Sequence, residues 1–131
     1  MMFSPVSPSR ARNFSALQLA YIGDAVYNLY IRLGRLSEGK GLRSMHLATA
    51  ERVNAVAQAQ AMVRLEGMLR DDERDIFLRG RNARPRHQAP RSASCAQYAA
   101  STGFEALIGY LYLSGQKERL EELFLYLQSC E

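Results

Sequence analysis

Asp24 and Glu105 are the two side chains whose settings most clearly call for chemistry. Asp24 stands in Leu19-Ala20-Tyr21-Ile22-Gly23-Asp24-Ala25-Val26-Tyr27, and Glu105 in Gly103-Phe104-Glu105-Ala106-Leu107-Ile108-Gly109-Tyr110-Leu111. A carboxylate in such company loses hydration, which is costly unless a cation or hydrogen-bond donors replace the water. Neither acid has a basic residue one helical turn away. Ala20, Tyr21, Tyr27 and Asn28 flank Asp24; Ser101, Thr102, Ile108 and Gly109 flank Glu105. Taken singly, each acid reads as a side chain reaching solvent from an otherwise buried helix. Taken together, with small neighbours at Gly23, Ala25, Gly103 and Ala106, they read as one site for a divalent cation. Carboxylate oxygens suit Mg²⁺, or Mn²⁺, and Mg²⁺ accepts few protein ligands because it keeps several waters. Such an ion lowers the pKa of a bound water and neutralises charge on a scissile phosphate. A glycosidase carboxylate pair is the competing chemistry. The basic charge and the lack of evident aromatic platforms for sugar weigh against it.

The second chemical feature is the run Arg79-Gly80-Arg81-Asn82-Ala83-Arg84-Pro85-Arg86-His87-Gln88-Ala89-Pro90-Arg91, which holds no acid. Guanidinium forks bind phosphate oxygens through paired hydrogen bonds. Arg79, Arg81, Asn82, Arg84 and Arg86 are therefore the candidates for gripping a nucleic-acid backbone, with Asn82 and Gln88 able to reach sugar hydroxyls or base edges. The bland alternative is a solvated loop. His46 reads as a partly buried helical residue and His87 as a phosphate or solvent contact, so neither is taken as a general base. The stripe Tyr98, Phe104, Leu107, Tyr110 and Leu111 reads as core or dimer surface.

The elements that must position these residues are all helical. Ser15 is placed to cap a helix over 16–36. A second helical region runs over 42–69 around the Ala-rich centre Ala55 to Ala61. A short helix from Asp71 or Asp72 ends at Gly80, a long apolar helix spans 95–113 until Gly115, and an amphipathic helix covers 118–128. No strand-like alternation persists. The expected architecture is an all-α bundle: an irregular leader over residues 1–14, then a single domain over 15–131. With 131 residues and 47% apolar composition, the chain can build one core. The net charge of +4 favours a polyanionic partner. Two cysteines match no zinc spacing and are too few for a disulfide framework, which fits a reducing cytoplasm. No secretory signal or membrane-length apolar run is present, so no membrane partner is expected.

These residues carry a resemblance. Ile22-Gly23-Asp24-Ala25-Val26 resembles the signature helix of ribonuclease III, and Phe104-Glu105-Ala106-Leu107-Ile108-Gly109 resembles its second acidic motif. The compact form called Mini-ribonuclease III is similar over a longer range. It matches Leu19 through Tyr27, Arg79-Gly80-Arg81-Asn82-Ala83, and Phe104 through Leu113 followed by Gly115-Gln116 and Glu118 through Leu123. The resemblance implies a ribonuclease III endonuclease-domain bundle that cuts double-stranded RNA as a homodimer. Each subunit would hold one Mg²⁺-dependent centre, and products would carry 5′ phosphates and short 3′ overhangs. It also implies a role in maturing large-subunit ribosomal RNA, in a bacterial cytoplasm or an organelle stroma.

Two departures from full-length ribonuclease III stand out. Ala20, four before Asp24, and Thr102, three before Glu105, replace acids, as they do in the Mini form. A double-stranded-RNA-binding domain is not expected beside the bundle, so the basic loop would share that task. The missing acids motivate a second reading, a non-catalytic double-stranded-RNA-binding or assembly protein on the same fold. A third is a helical module whose apolar faces bind a protein.

Overall fold

The computed structural model describes residues 4–83 and 92–130. Among them there is no strand, and seven α-helices follow in order: α1 (Pro8–Ala11), α2 (Ala16–Leu36), α3 (Leu42–Arg52), α4 (Ala55–Leu65), α5 (Asp71–Asn82), α6 (Cys95–Leu113) and α7 (Lys117–Ser129). The all-α expectation holds.

α6 is the axis of the bundle. Phe104, Leu107, Ile108, Tyr110 and Leu111 are fully buried. Ser101, Thr102, Gly103, Ala106 and Gly109 are buried as well, so the two sets together cover nearly the whole circumference, the pattern of a helix enclosed by its neighbours. Its small residues decide how closely those neighbours come. A Cβ at Gly109 would lie 1.9 Å from the Leu19 carbonyl oxygen, so α2 and α6 touch backbone to backbone. α5 meets α6 in the same way at Gly80 and Gly103. Tyr27 of α2 sets its ring edge-on to Phe104 at 4.9 Å.

The ends of the elements follow local chemistry. Ser15 and Gln18 close a reciprocal capping box on α2, at 3.1 and 3.0 Å. Ser94 and Gln97 do the same for α6. Gly115, with φ +73°, ends α6 as expected.

Three expectations need correction. The region over 42–69 is not one helix. Asn54 breaks it: its amide donates to the Ala50 and Glu51 carbonyls while its Oδ1 accepts from the Ala57 N–H at 2.8 Å. One side chain thus satisfies the end of α3 and the start of α4, and a 3₁₀ turn over Glu66–Met68 follows α4. Gly80 does not stop α5, which runs on to Asn82. This glycine serves interhelical approach, since a Cβ there would come within 2.7 Å of the Gly103 Cα. Nor is the leader irregular throughout. Val6 N–H donates to the Leu113 carbonyl at 2.8 Å, and Ala11 in α1 is fully buried.

One ion pair holds the lower part of the bundle. Glu73, with no exposed surface, receives the Arg119 fork through Nε and Nη2, both at 2.8 Å. Arg119 Nη2 also donates to the Met68 carbonyl at 2.6 Å, and Glu122 flanks the same guanidinium. The pair is buried but its donors and acceptors are matched, the condition under which a desolvated pair is tolerated.

Candidate active site

Asp24 sits on α2 directly after Gly23, and Glu105 sits on α6. A Cβ at Gly23 would meet the Glu105 carbonyl, so no side chain separates the helices at this level. The two carboxylates consequently come close enough for Asp24 to act on Glu105 through hydrogen bonding and charge. Asp24 is exposed and Glu105 half-buried, giving a site open on one side. Burial, then the hydrogen bond and the charge of Asp24, push the Glu105 carboxyl up from 4.5 to about 8. At neutral pH without metal, the Glu105 carboxyl is therefore mostly protonated. The two acids singled out in the sequence do meet.

A third group comes from α4. Gln58 is 3% exposed, and its side-chain amide acts on Glu105 in the direction that opposes the upward shift. Sequence reasoning missed it. Two amides, Gln58 and Gln60, stand among the alanines of Ala55 to Ala61, and the signal was that Gln58 is the one at helical spacing from Met62 and Leu65. A polar side chain on such a buried face requires a partner.

The missing acids leave apolar or self-satisfied positions. Ala20 is buried in the core. Thr102 is buried, and its hydroxyl donates to the Tyr98 carbonyl at 3.1 Å. Among the described residues no group of three or more His, Cys, Asp or Glu side chains is arranged to hold a metal. The donors available at this site are two carboxylates and one amide, a hard oxygen set. That set fits Mg²⁺ or Mn²⁺ with water completing the shell.

The basic residues divide. Arg79 Nη1 and Nη2 donate to the Arg12 and Phe14 carbonyls at 3.0 and 3.1 Å, tying α5 to the turn between α1 and α2. Its fork is thus already engaged within the fold. Arg81 lies over the Phe77 ring, 6.0 Å from its centroid, and its Nε donates to Asn82 Oδ1 at 3.3 Å. Both Arg81 and Asn82 are exposed. Arg84 and Arg86, with His87 and Gln88, lie outside the described residues. His46 is exposed on α3 rather than partly buried. Phe104, Leu107, Tyr110 and Leu111 are core.

A helical bundle that crosses two helices at glycine and pairs their acids defines a class. Residues 17–116 match the model of the ribonuclease III domain. The chain belongs to the ribonuclease III family of endoribonucleases. Within that family it belongs with the Mini-ribonuclease 3 proteins. It is 49% identical over 108 residues to Mini-ribonuclease 3 of Symbiobacterium thermophilum, covering 82% of each chain. It is 42% identical over 112 residues to that of a Thermoanaerobacter species, covering 85% of this chain and 78% of the relative. A Synechococcus Mini-ribonuclease 3 is 36% identical over 126 residues, covering 96% and 89%. A crystal structure of a Fusobacterium nucleatum protein superimposes with a TM-score of 0.82 at 28% identity, covering 90% of this chain and 94% of that one. No helix among the described residues is long and apolar enough to cross a membrane.

Proposed function

We propose that this chain is a Mg²⁺-dependent endoribonuclease that hydrolyses double-stranded RNA to products with 5′ phosphates. The observation that carries this reading is the meeting of Asp24 and Glu105 across the α2–α6 glycine contact. These two side chains would hold the ion. When bound, Mg²⁺ supplies a water of lowered pKa and neutralises phosphate charge. Gln58, held in the core, fixes the Glu105 carboxylate in one orientation. The absence of a side chain at Gly23 keeps the approach to both acids short.

Arg81, Asn82, Arg84 and Arg86 grip the RNA backbone, reading A-form shape rather than sequence. Arg79 supports that grip by anchoring α5 to the chain before α2. A homodimer forms through the apolar surface of α2, where Tyr21, Leu29, Leu33 and Leu36 stand exposed. The Mini-ribonuclease 3 relationship supports a precursor of large-subunit ribosomal RNA as substrate, in the cytoplasm or an organelle stroma. The non-catalytic alternative rests on the lack of acids at Ala20 and Thr102. One assay separates the two: incubation of a long duplex RNA with Mg²⁺ or Mn²⁺, against chelator. Metal-dependent scission is expected; an intact duplex with bound protein would replace the nuclease by a binding protein.

A further inference from the structure

The carboxylate pair leaves a second concave site unexplained. A cavity of about 680 Å³ opens where the C-terminal half of α2 faces the end of α3, α4 and α7. That volume suits a small ligand. Arg35, Arg52 and Arg64 line it, together with Glu38 and Glu51. Tyr30 and Phe124 contribute aromatic surface. Their rings stack with centroids 4.0 Å apart and planes inclined 26°. Gln128 Nε2 donates to Tyr30 Oη at 2.7 Å, which fixes the outer ring.

Arg35 shows what the cavity lacks. Its Nη1 donates to Glu38 at 2.8 Å, while its Nε is buried and meets no acceptor among the described residues. Buried donors are almost always bonded, so this N–H marks a place for an acceptor oxygen. Parallel N–H groups of a guanidinium match phosphate oxygens. An aromatic face beside a phosphate-binding arginine is the combination that takes a nucleotide, base on ring and phosphate on fork.

From this geometry we infer that the α2–α4–α7 cavity binds a nucleotide, with its phosphate on Arg35 and Arg64 and its base against Tyr30. Arg35 lies eleven residues beyond Asp24 on the same face of α2, roughly 16 Å along the helix axis. The site is therefore distinct from the carboxylate pair yet on its side of the helix. The nucleotide has two possible sources: a free mononucleotide, or one unit of an RNA strand that also reaches Asp24 and Glu105.

Calorimetric titration of the full chain with AMP and with UMP, alongside cleavage kinetics on duplex RNA, tests this. The variants are Arg35→Ala and the surface change Arg64→Ala, which should fold whatever the fate of the first. A free-nucleotide site predicts saturable binding of a mononucleotide that both variants weaken by about tenfold, with kcat for duplex unchanged. An RNA-strand site predicts no saturation by either mononucleotide but a raised KM for duplex in both variants, again at unchanged kcat. Binding and KM unaffected in the folded variants would overturn the inference. So would a mononucleotide that binds wild type and variants alike. Asp24→Asn protein should bind the mononucleotide as wild type does, so a failure of the nuclease reading is seen separately.

Discussion

A Cβ atom built on Gly23 would lie 1.7 Å from the carbonyl oxygen of Glu105. The helices bearing the two acids cross so tightly that hydrogen is the only side chain that fits between them. Asp24, the next residue, is delivered to the Glu105 carboxylate by that contact.

Gly23→Ala should therefore separate the helices and the acids together. Overpacking commonly costs about 1–3 kcal/mol, and a collision with backbone should reach or exceed the top of that range. Gly34, on the same helix, has no atom within 4 Å of an added Cβ. Gly34→Ala should stabilise by about 0.5–1 kcal/mol through helix propensity. Urea denaturation of both variants checks the contrast; equal effects would remove the close-approach explanation.

Asp24→Asn and Glu105→Gln should each abolish metal-dependent cleavage while the far-ultraviolet dichroism stays native. Cleavage at wild-type rate by either folded variant would refute the assignment of the site.

Gln58→Leu keeps the apolar packing of α4 but removes the amide from Glu105. The expected result is a higher Mg²⁺ concentration for half-maximal cleavage, because the carboxylate is no longer held in one orientation. Unchanged metal dependence would reduce Gln58 to a packing residue.

In chelator, the raised Glu105 pKa makes stability depend on pH with a definite sign. Burial and Asp24 keep Glu105 protonated in the folded chain up to about 8, whereas it ionises near 4.5 when unfolded. The folded state thus binds the extra proton. Its stabilising contribution is complete below pH 4.5 and is lost as pH rises through about 8. The difference in unfolding free energy between wild type and Glu105→Gln should shift against wild type across that window. A difference that is flat with pH would show that Glu105 titrates normally.

Arg119→Met should cost about 3–5 kcal/mol, since it strands the buried Glu73 carboxylate. Adding Glu73→Gln to that variant should recover part of the loss. Thermal melts of the single and double variants measure this, and a double variant less stable than the single would contradict it.

Much of this was legible along the chain. The 3.6-residue apolar period, the Ser15 cap and the Gly115 stop act within a few residues, so the start of α2 and the end of α6 are set locally; the Ser94–Gln97 capping box that opens α6 acts just as locally but was not read from the sequence. The isolation of Asp24 and Glu105 among apolar residues is likewise a local fact, and it marked both before any contact was known. Asn54 was harder. It lies in a segment of good helix formers, and its break depends on one amide serving two helix ends at once.

The tertiary structure decided what depends on partners far along the chain. Gly80 looks like a helix stop in sequence, but Gly103 across the interface makes it an interior contact. Arg79 looks like a phosphate ligand until the Arg12 and Phe14 carbonyls take its fork. Gln58 gains its role only when α4 lies against α6. Helix periodicity states which face of a segment is apolar, because neighbours along the chain set it. Which residue a polar side chain meets is set by how helices cross, and that was fixed here by glycines whose significance appears only when two backbones touch.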